Sequence, residues 1–222
     1  MGELNSYSYI FEPAALPAIG LATAGPLLLL HGTGGDERDL LELGRTLSPG
    51  SALLSPRGDV SEHGARRFFA RLAEGVFDPA EVTRRTQALA DFIAAAADHH
   101  GFDRKQLVAV GFSNGANIAA TLLQLRPESL GAAVLLRPMV VLDQPAPAGT
   151  LAGKRVLIAS GSRDPIVPND HPPRLAAMLR AGGAAVTLHA AAAGHNLAAS
   201  DIAATQAFFR DRQANFSRPV TD

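Results

Sequence analysis

Short apolar runs along the chain alternate with stretches in which apolar residues recur every three or four positions. The runs have the character of buried strands and the periodic stretches that of amphipathic helices. Leu27–Leu30, Ser51–Ser55, Leu107–Gly111, Ala132–Leu136, Arg155–Ser160 and Ala185–His189 read as strands, and the weakly alternating Tyr7–Phe11 as an edge strand. Helical spacing covers Asp36–Leu47, Asn114–Leu125, His171–Arg180 and Ala198–Phe209. A long helix runs from Asp78 to about His99, opened by Asp78-Pro79-Ala80-Glu81. There Asp caps, Pro fits the first turn and Glu sits at the third position. Strands taking turns with helices predict an α/β fold, a mostly parallel sheet with helices on both faces. No internal repeat appears, and Pro145-Ala146-Pro147-Ala148-Gly149 is too short for a domain linker, so residues 1–222 read as one domain. The polar tail after Arg212 is expected to fray.

Composition narrows the function classes. The 222 residues are 47% apolar and carry a net charge of −1, with both signs interspersed. That argues against a platform for nucleic acid or an anionic membrane. The absence of cysteine excludes disulfides, thiolate metal sites and a cysteine nucleophile. The apolar stretch 14–30 is broken by Pro17, Gly20, Gly25 and Pro26, so it reads as a loop feeding a strand and not as a membrane span. Met1–Ser6 lacks the basic start and apolar core of a signal peptide, which leaves the cytoplasm as the default location. His99-His100 lies at a helix C-terminus without a second set of ligands at suitable spacing, so no metal and no cofactor are expected. The expected partner is a small molecule, with no nucleic acid and no stable membrane insertion. A homodimer is left open.

The chemistry gathers at strand ends. Gly111-Phe112-Ser113-Asn114-Gly115 fits G-x-S-x-G and has a strand before it and a helix after it. In that context a serine sits on a sharp, strained turn that lifts its hydroxyl above the sheet, and the flanking chain passes too close for side chains at 111 or 115. Read alone, Ser113 could equally be a helix cap between packing glycines. A serine nucleophile needs a base, and the base needs an orienting acid. His195 follows the last strand and Asp164 the one before it. Parallel strands bring their carboxyl ends to one rim, so the order Ser, Asp, His can converge there. The backbone N–H of Asn114 and one from the glycine-rich loop His31-Gly32-Thr33-Gly34-Gly35, with Thr33 the choice, would form an oxyanion hole. His31 is expected to hold that loop, not to act as a base. Asp143 is the rival acid, while Asp170 and Asp201 read as helix-start caps.

These pieces, with Pro56-Arg57-Gly58, Phe68-Phe69, Glu74-Gly75-Val76-Phe77-Asp78 and Asp164-Pro165-Ile166-Val167-Pro168, resemble the phospholipase/carboxylesterase family of α/β-hydrolases, which includes acyl-protein thioesterases. The resemblance spans positions 31 to 195. It implies an α/β-hydrolase fold in minimal form without a large cap domain, Ser113 as nucleophile, His195 as base, Asp164 as acid, and Thr33 and Asn114 as oxyanion donors. Two features depart from the thioesterase pattern: Asn114 stands in place of Gln, and Arg137-Pro138-Met139 in place of a small-residue segment.

The expected activity is that of a carboxylesterase acting on small to medium acyl or aryl esters through an acyl-enzyme. Thioesterase, lysophospholipase and a non-catalytic binder of the same fold are the alternatives. Phe68, Phe69, Leu72, Phe77, Met139, Val140 and Ile166 are candidates for an apolar pocket wall, with ordinary core packing an equal alternative for each. Arg57, Arg66, Arg67 and Arg137 are expected as solvated surface residues.

Overall fold

In the computed structural model, which describes residues 4–15 and 25–216, nine strands alternate with helices. The strands are β1 (Tyr9–Glu12), β2 (Leu27–Leu30), β3 (Leu53–Pro56), β4 (Val60–Glu62), β5 (Ala65–Arg67), β6 (Val108–Phe112), β7 (Ala132–Leu136), β8 (Arg155–Gly161) and β9 (Ala185–Ala191). The α-helices are α1 (Leu41–Leu47), α2 (Pro79–His100), α3 (Asn114–Leu125), α4 (His171–Ala181) and α5 (Ala199–Phe216). Seven strands form one sheet in the order β1-β3-β2-β6-β7-β8-β9, while β4 and β5 pair as a separate hairpin. Only β1 is antiparallel to its neighbour in the large sheet. This is the mostly parallel sheet that the alternating pattern predicts, and it agrees with the α/β-hydrolase fold that the resemblance implies.

The leucine run shows why the layers form. Successive side chains of a strand face opposite ways. Leu28 and Leu30 join a core with residues of α2, α3 and α4, such as Leu89, Ile118 and Leu175. Leu27 and Leu29 join a second core with Leu41 and Leu47 of α1 and Phe208 and Phe209 of α5. All four leucines are wholly buried, each worth roughly 1.5–3 kcal/mol in burial. The chain steps from β2 outward to β3, then crosses back over β2 to β6. That reversal opens a crevice beyond the carboxyl ends of β2 and β6.

Several strand ends move by one or two residues, and three differences from expectation are larger. Helix α1 begins at Leu41 and not at Asp36, because the Asp36 carboxylate accepts the Arg38 N–H at 2.7 Å and stabilises a turn instead. Helix α5 continues to Phe216, past the expected fraying point. The β4–β5 hairpin, with three residues per strand, was not anticipated. Asp78 caps α2 as expected, accepting the Ala80 N–H at 2.9 Å. Much of the apolar stretch 14–30 lies outside the described residues. Among those described, no helix is long and apolar enough to cross a membrane.

Candidate active site

At the carboxyl end of β6 the chain turns directly into α3 through Ser113, whose φ of 52° and ψ of −113° lie in a region that non-glycine residues seldom occupy. The Ser113 N–H donates to the Leu136 carbonyl at 2.8 Å, tying this turn to the end of β7. A Cβ on Gly111 would stand 2.5 Å from the Gly115 carbonyl oxygen, and one on Gly115 would collide with the backbone of Leu30. Only glycine permits this approach. The serine hydroxyl is thereby aimed out of the sheet, and the Asn114 N–H begins α3, where no intrahelical acceptor exists.

His195 and Asp164 reach this hydroxyl from distant segments. The ring of His195 lies 2.9 Å through Nε2 from Ser113 Oγ and 2.8 Å through Nδ1 from Asp164 Oδ2. A carboxylate only accepts, so Nδ1 carries the proton and Nε2 is left to accept from the serine hydroxyl. Asp164 Oδ1 takes N–H groups from Ile166 at 2.8 Å and Val167 at 3.1 Å. Burial pushes its pKa up, but these N–H groups and His195 outweigh that and hold the carboxyl below its ordinary value.

The loop after β2 forms the facing wall. His31, buried, donates from Nδ1 to the Gly32 carbonyl at 2.7 Å and accepts the Gly58 N–H on Nε2 at 2.9 Å. It stabilises the loop as expected of it. The Gly34 N–H bonds to the Arg66 carbonyl at 2.9 Å. Arg67 Nη1 donates to Thr33 Oγ1 at 2.6 Å, and its Nε to the Phe69 carbonyl at 3.1 Å. The unanticipated hairpin therefore braces the loop that carries Thr33.

A cleft of about 310 Å³ opens over these groups, with Ser113, His195, Thr33 and Asn114 in its wall. Of the residues offered as an apolar wall, Met139, Ile166 and Phe77 line it. Phe68, Phe69 and Val140 do not. Phe68 and Phe69 are wholly buried in the core, Phe68 against the His31 ring and Phe69 against Phe77. Val140 packs on the core and its N–H is taken by His171 Nδ1 at 3.1 Å. Leu72 is 73% exposed. Arg71 and Phe112 line the cleft and were not anticipated there.

Two arginines expected in solvent are internal: Arg67 is 4% and Arg137 1% exposed. Asp143, the rival acid, is exposed and paired with Arg174. Asp201 does serve the start of α5, accepting the Ala198 N–H at 2.7 Å, but it is also the buried partner of Arg137 at 2.6 Å. Asp170 stands at the start of α4 without a capping bond from its side chain.

A profile of the dienelactone hydrolase family matches residues 60–214. The chain is 46% identical over 171 residues to the "Putative hydrolase MhqD" of Bacillus subtilis (strain 168), covering 77% of this chain and 85% of that protein. It is similar to the crystal structure of the Bacillus cereus carboxylesterase, with a TM-score of 0.84, 41% identity, and 92% of this chain and 93% of that one covered. A carboxylesterase from Mesorhizobium loti is similar with a TM-score of 0.79 at 34% identity, over 86% of this chain and 90% of that one.

Proposed function

The chain belongs to the dienelactone hydrolase family, and on that premise we propose that it is a serine carboxylesterase cleaving small to medium acyl or aryl esters through an acyl-enzyme. One observation carries the reading: the hydrogen-bond path Ser113 Oγ, His195, Asp164, with links of 2.9 and 2.8 Å, at the wall of an open cleft.

The Ser113 oxygen attacks the ester carbonyl carbon while His195 Nε2 takes the hydroxyl proton. The carbonyl oxygen becomes an oxyanion facing the backbone N–H groups of Thr33 and Asn114. Asp164, kept ionised, stabilises the imidazolium that forms. The tetrahedral intermediate collapses, the carbon–oxygen bond to the alcohol breaks, and the Nε2 proton goes to the leaving oxygen. Water then repeats the sequence on the acyl-serine, releasing the acid and restoring the hydroxyl. Met139, Ile166 and Phe77 offer apolar contact for an acyl or aryl group.

The test is hydrolysis of 4-nitrophenyl acetate and butyrate by the wild type and by Ser113→Ala. The substitution should lower kcat by about 10⁶-fold, as in a comparable serine hydrolase. A variant that kept a tenth of the wild-type rate would remove Ser113 from the chemistry. In a chain-length series, kcat/KM should fall as the acyl chain grows. A rise toward long chains would favour a lysophospholipase or lipid thioesterase instead.

A further inference from the structure

We propose that Arg137 is a positioning residue for His195, holding the backbone on both sides of the base; this rests on the assignment of His195 as the base of a serine esterase. Arg137 directly follows β7, with a φ of 58°, a conformation that L residues seldom take. That turn directs the side chain inward, beneath the loop between β9 and α5. Nε donates to the Gly194 carbonyl at 3.0 Å and Nη2 to the Asn196 carbonyl at 2.9 Å. Gly194 and Asn196 are the two neighbours of His195. Nη1 donates to the Ala159 carbonyl at 3.2 Å, which ties the same group to β8.

The guanidinium is held in turn. Asp201 accepts from Nη1 at 3.1 Å on Oδ1 and from Nη2 at 2.6 Å on Oδ2, with both side chains fully buried. Asp201 Oδ2 also accepts the Ala198 N–H at 2.7 Å. The loop carrying the base is therefore pinned at residues 194, 196 and 198 by one ion pair. A guanidinium presents its donors in a fixed plane, so its bonds set direction as well as distance. Stability alone does not call for this arrangement, because well-packed apolar residues often serve a buried position as well or better. What apolar residues lack is a way to orient two carbonyls. Their orientation fixes the backbone of His195 and, through it, the 2.9 Å approach of Nε2 to Ser113 Oγ.

The experiment compares the wild type with Arg137→Lys, which keeps the charge opposite Asp201 but cannot reach both carbonyls in one plane, and with Asp201→Asn. Each is assayed on 4-nitrophenyl butyrate, normalised to folded protein by circular dichroism. The rate of Ser113 labelling by a fluorophosphonate and the far-downfield proton signal of the His195 Nδ1–H bond are recorded alongside. Arg137→Lys should lower kcat by about 10- to 100-fold, the cost of a slightly misplaced reacting group, while KM moves less than about threefold. Labelling should slow in step with kcat, and the downfield signal should broaden. Asp201→Asn should shift the same readouts in the same direction, more weakly. A purely structural arginine would lower the melting temperature and leave these normalised readouts unchanged, and that result in whichever variant folds would overturn the proposal. A wild type that neither hydrolyses the ester nor labels at Ser113 would instead overturn the esterase reading, and the positioning role with it.

Discussion

Strands β6 and β7 lie side by side and parallel, and each is followed at once by a non-glycine residue with positive φ: Ser113 at 52° and Arg137 at 58°. The Ser113 N–H bonds to Leu136, the residue before Arg137, at 2.8 Å. Similar backbone departures at neighbouring strand ends serve opposite directions. At Ser113 the turn sends a small hydroxyl outward, into the cleft. At Arg137 it sends a long cation inward, where carbonyls and a carboxylate receive it. Backbone strain of this kind costs about 1–3 kcal/mol per residue and persists only where the surroundings over-determine it. At Ser113 the surroundings are close-packed glycines, and at Arg137 they are charge and hydrogen bonds. A strained residue at a strand end is thus not by itself a nucleophile; the environment of its side chain decides.

The largest effect that tests this contrast comes from the groups holding His195. Asp164 acts on the ring and Arg137 on the backbone, so removing the carboxylate should do more harm. Asp164→Asn should reduce kcat by about 10⁴-fold, because an amide can stabilise the wrong tautomer and no longer offsets the imidazolium charge. Asp143→Asn, measured beside it, should stay within about twofold of wild type, since Asp143 pairs with Arg174 at the surface. If the two variants exchanged behaviour, Asp164 would lose its role. If Asp164→Asn fell no further than Arg137→Lys, the division between ring and backbone would not hold.

A smaller effect separates strain from chemistry at Ser113. Both Ser113→Ala and Ser113→Gly remove the hydroxyl, but only glycine is at ease at a φ of 52°. The glycine variant should therefore be more stable than the alanine variant by about 1–3 kcal/mol in urea denaturation, with both inactive. Equal stabilities would mean that the turn is not strained.

The same contrast explains what could be read from residue order. Ser113 was legible because close backbone approach leaves its mark in residue type: Gly111 and Gly115 stand where a Cβ would meet the main chain. Asp164 and His195 were legible because apolar runs ahead of them mark strand ends, and parallel strands share one rim. Arg137 carries no such local mark. Its partner Asp201 is 64 positions away, and an arginine next to a strand has the same appearance whether it faces solvent or the interior. The hairpin that buries Arg67 leaves no mark in residue order, because three-residue strands establish no periodicity. Phe68 and Phe69 are ambiguous in the sequence, because aromatics suit a core and a ligand wall equally. Burial decided for the core, and no pattern in that segment separates the two.

The two loops that carry Thr33 and His195 into the cleft wall are fastened by different chemistry. The His195 loop is held by Arg137 and by Asp201, whose carboxyl burial would raise but which Arg137 and the Ala198 N–H hold below its ordinary value. The Thr33 loop is held by His31, which can accept the Gly58 N–H only while it is neutral. Burial lowers the His31 pKa from 6.5; the bond to Gly32 and the charges of Asp39, Asp36 and Glu37 oppose the shift without cancelling it. The unfolded chain therefore takes up a proton near 6.5 that the folded protein resists. This contribution to stability is complete above 6.5 and is lost as pH falls from there toward the lowered value. His100 and His171 are shifted the same way, so the measurement is a difference. Melting temperatures of the wild type and of His31→Gln, whose amide oxygen can still accept from Gly58, should converge as pH falls from about 7 to about 5, the wild type losing more. Parallel curves would show that His31 holds its loop without regard to its proton, and the two walls of the cleft would then be fastened in the same pH-independent way.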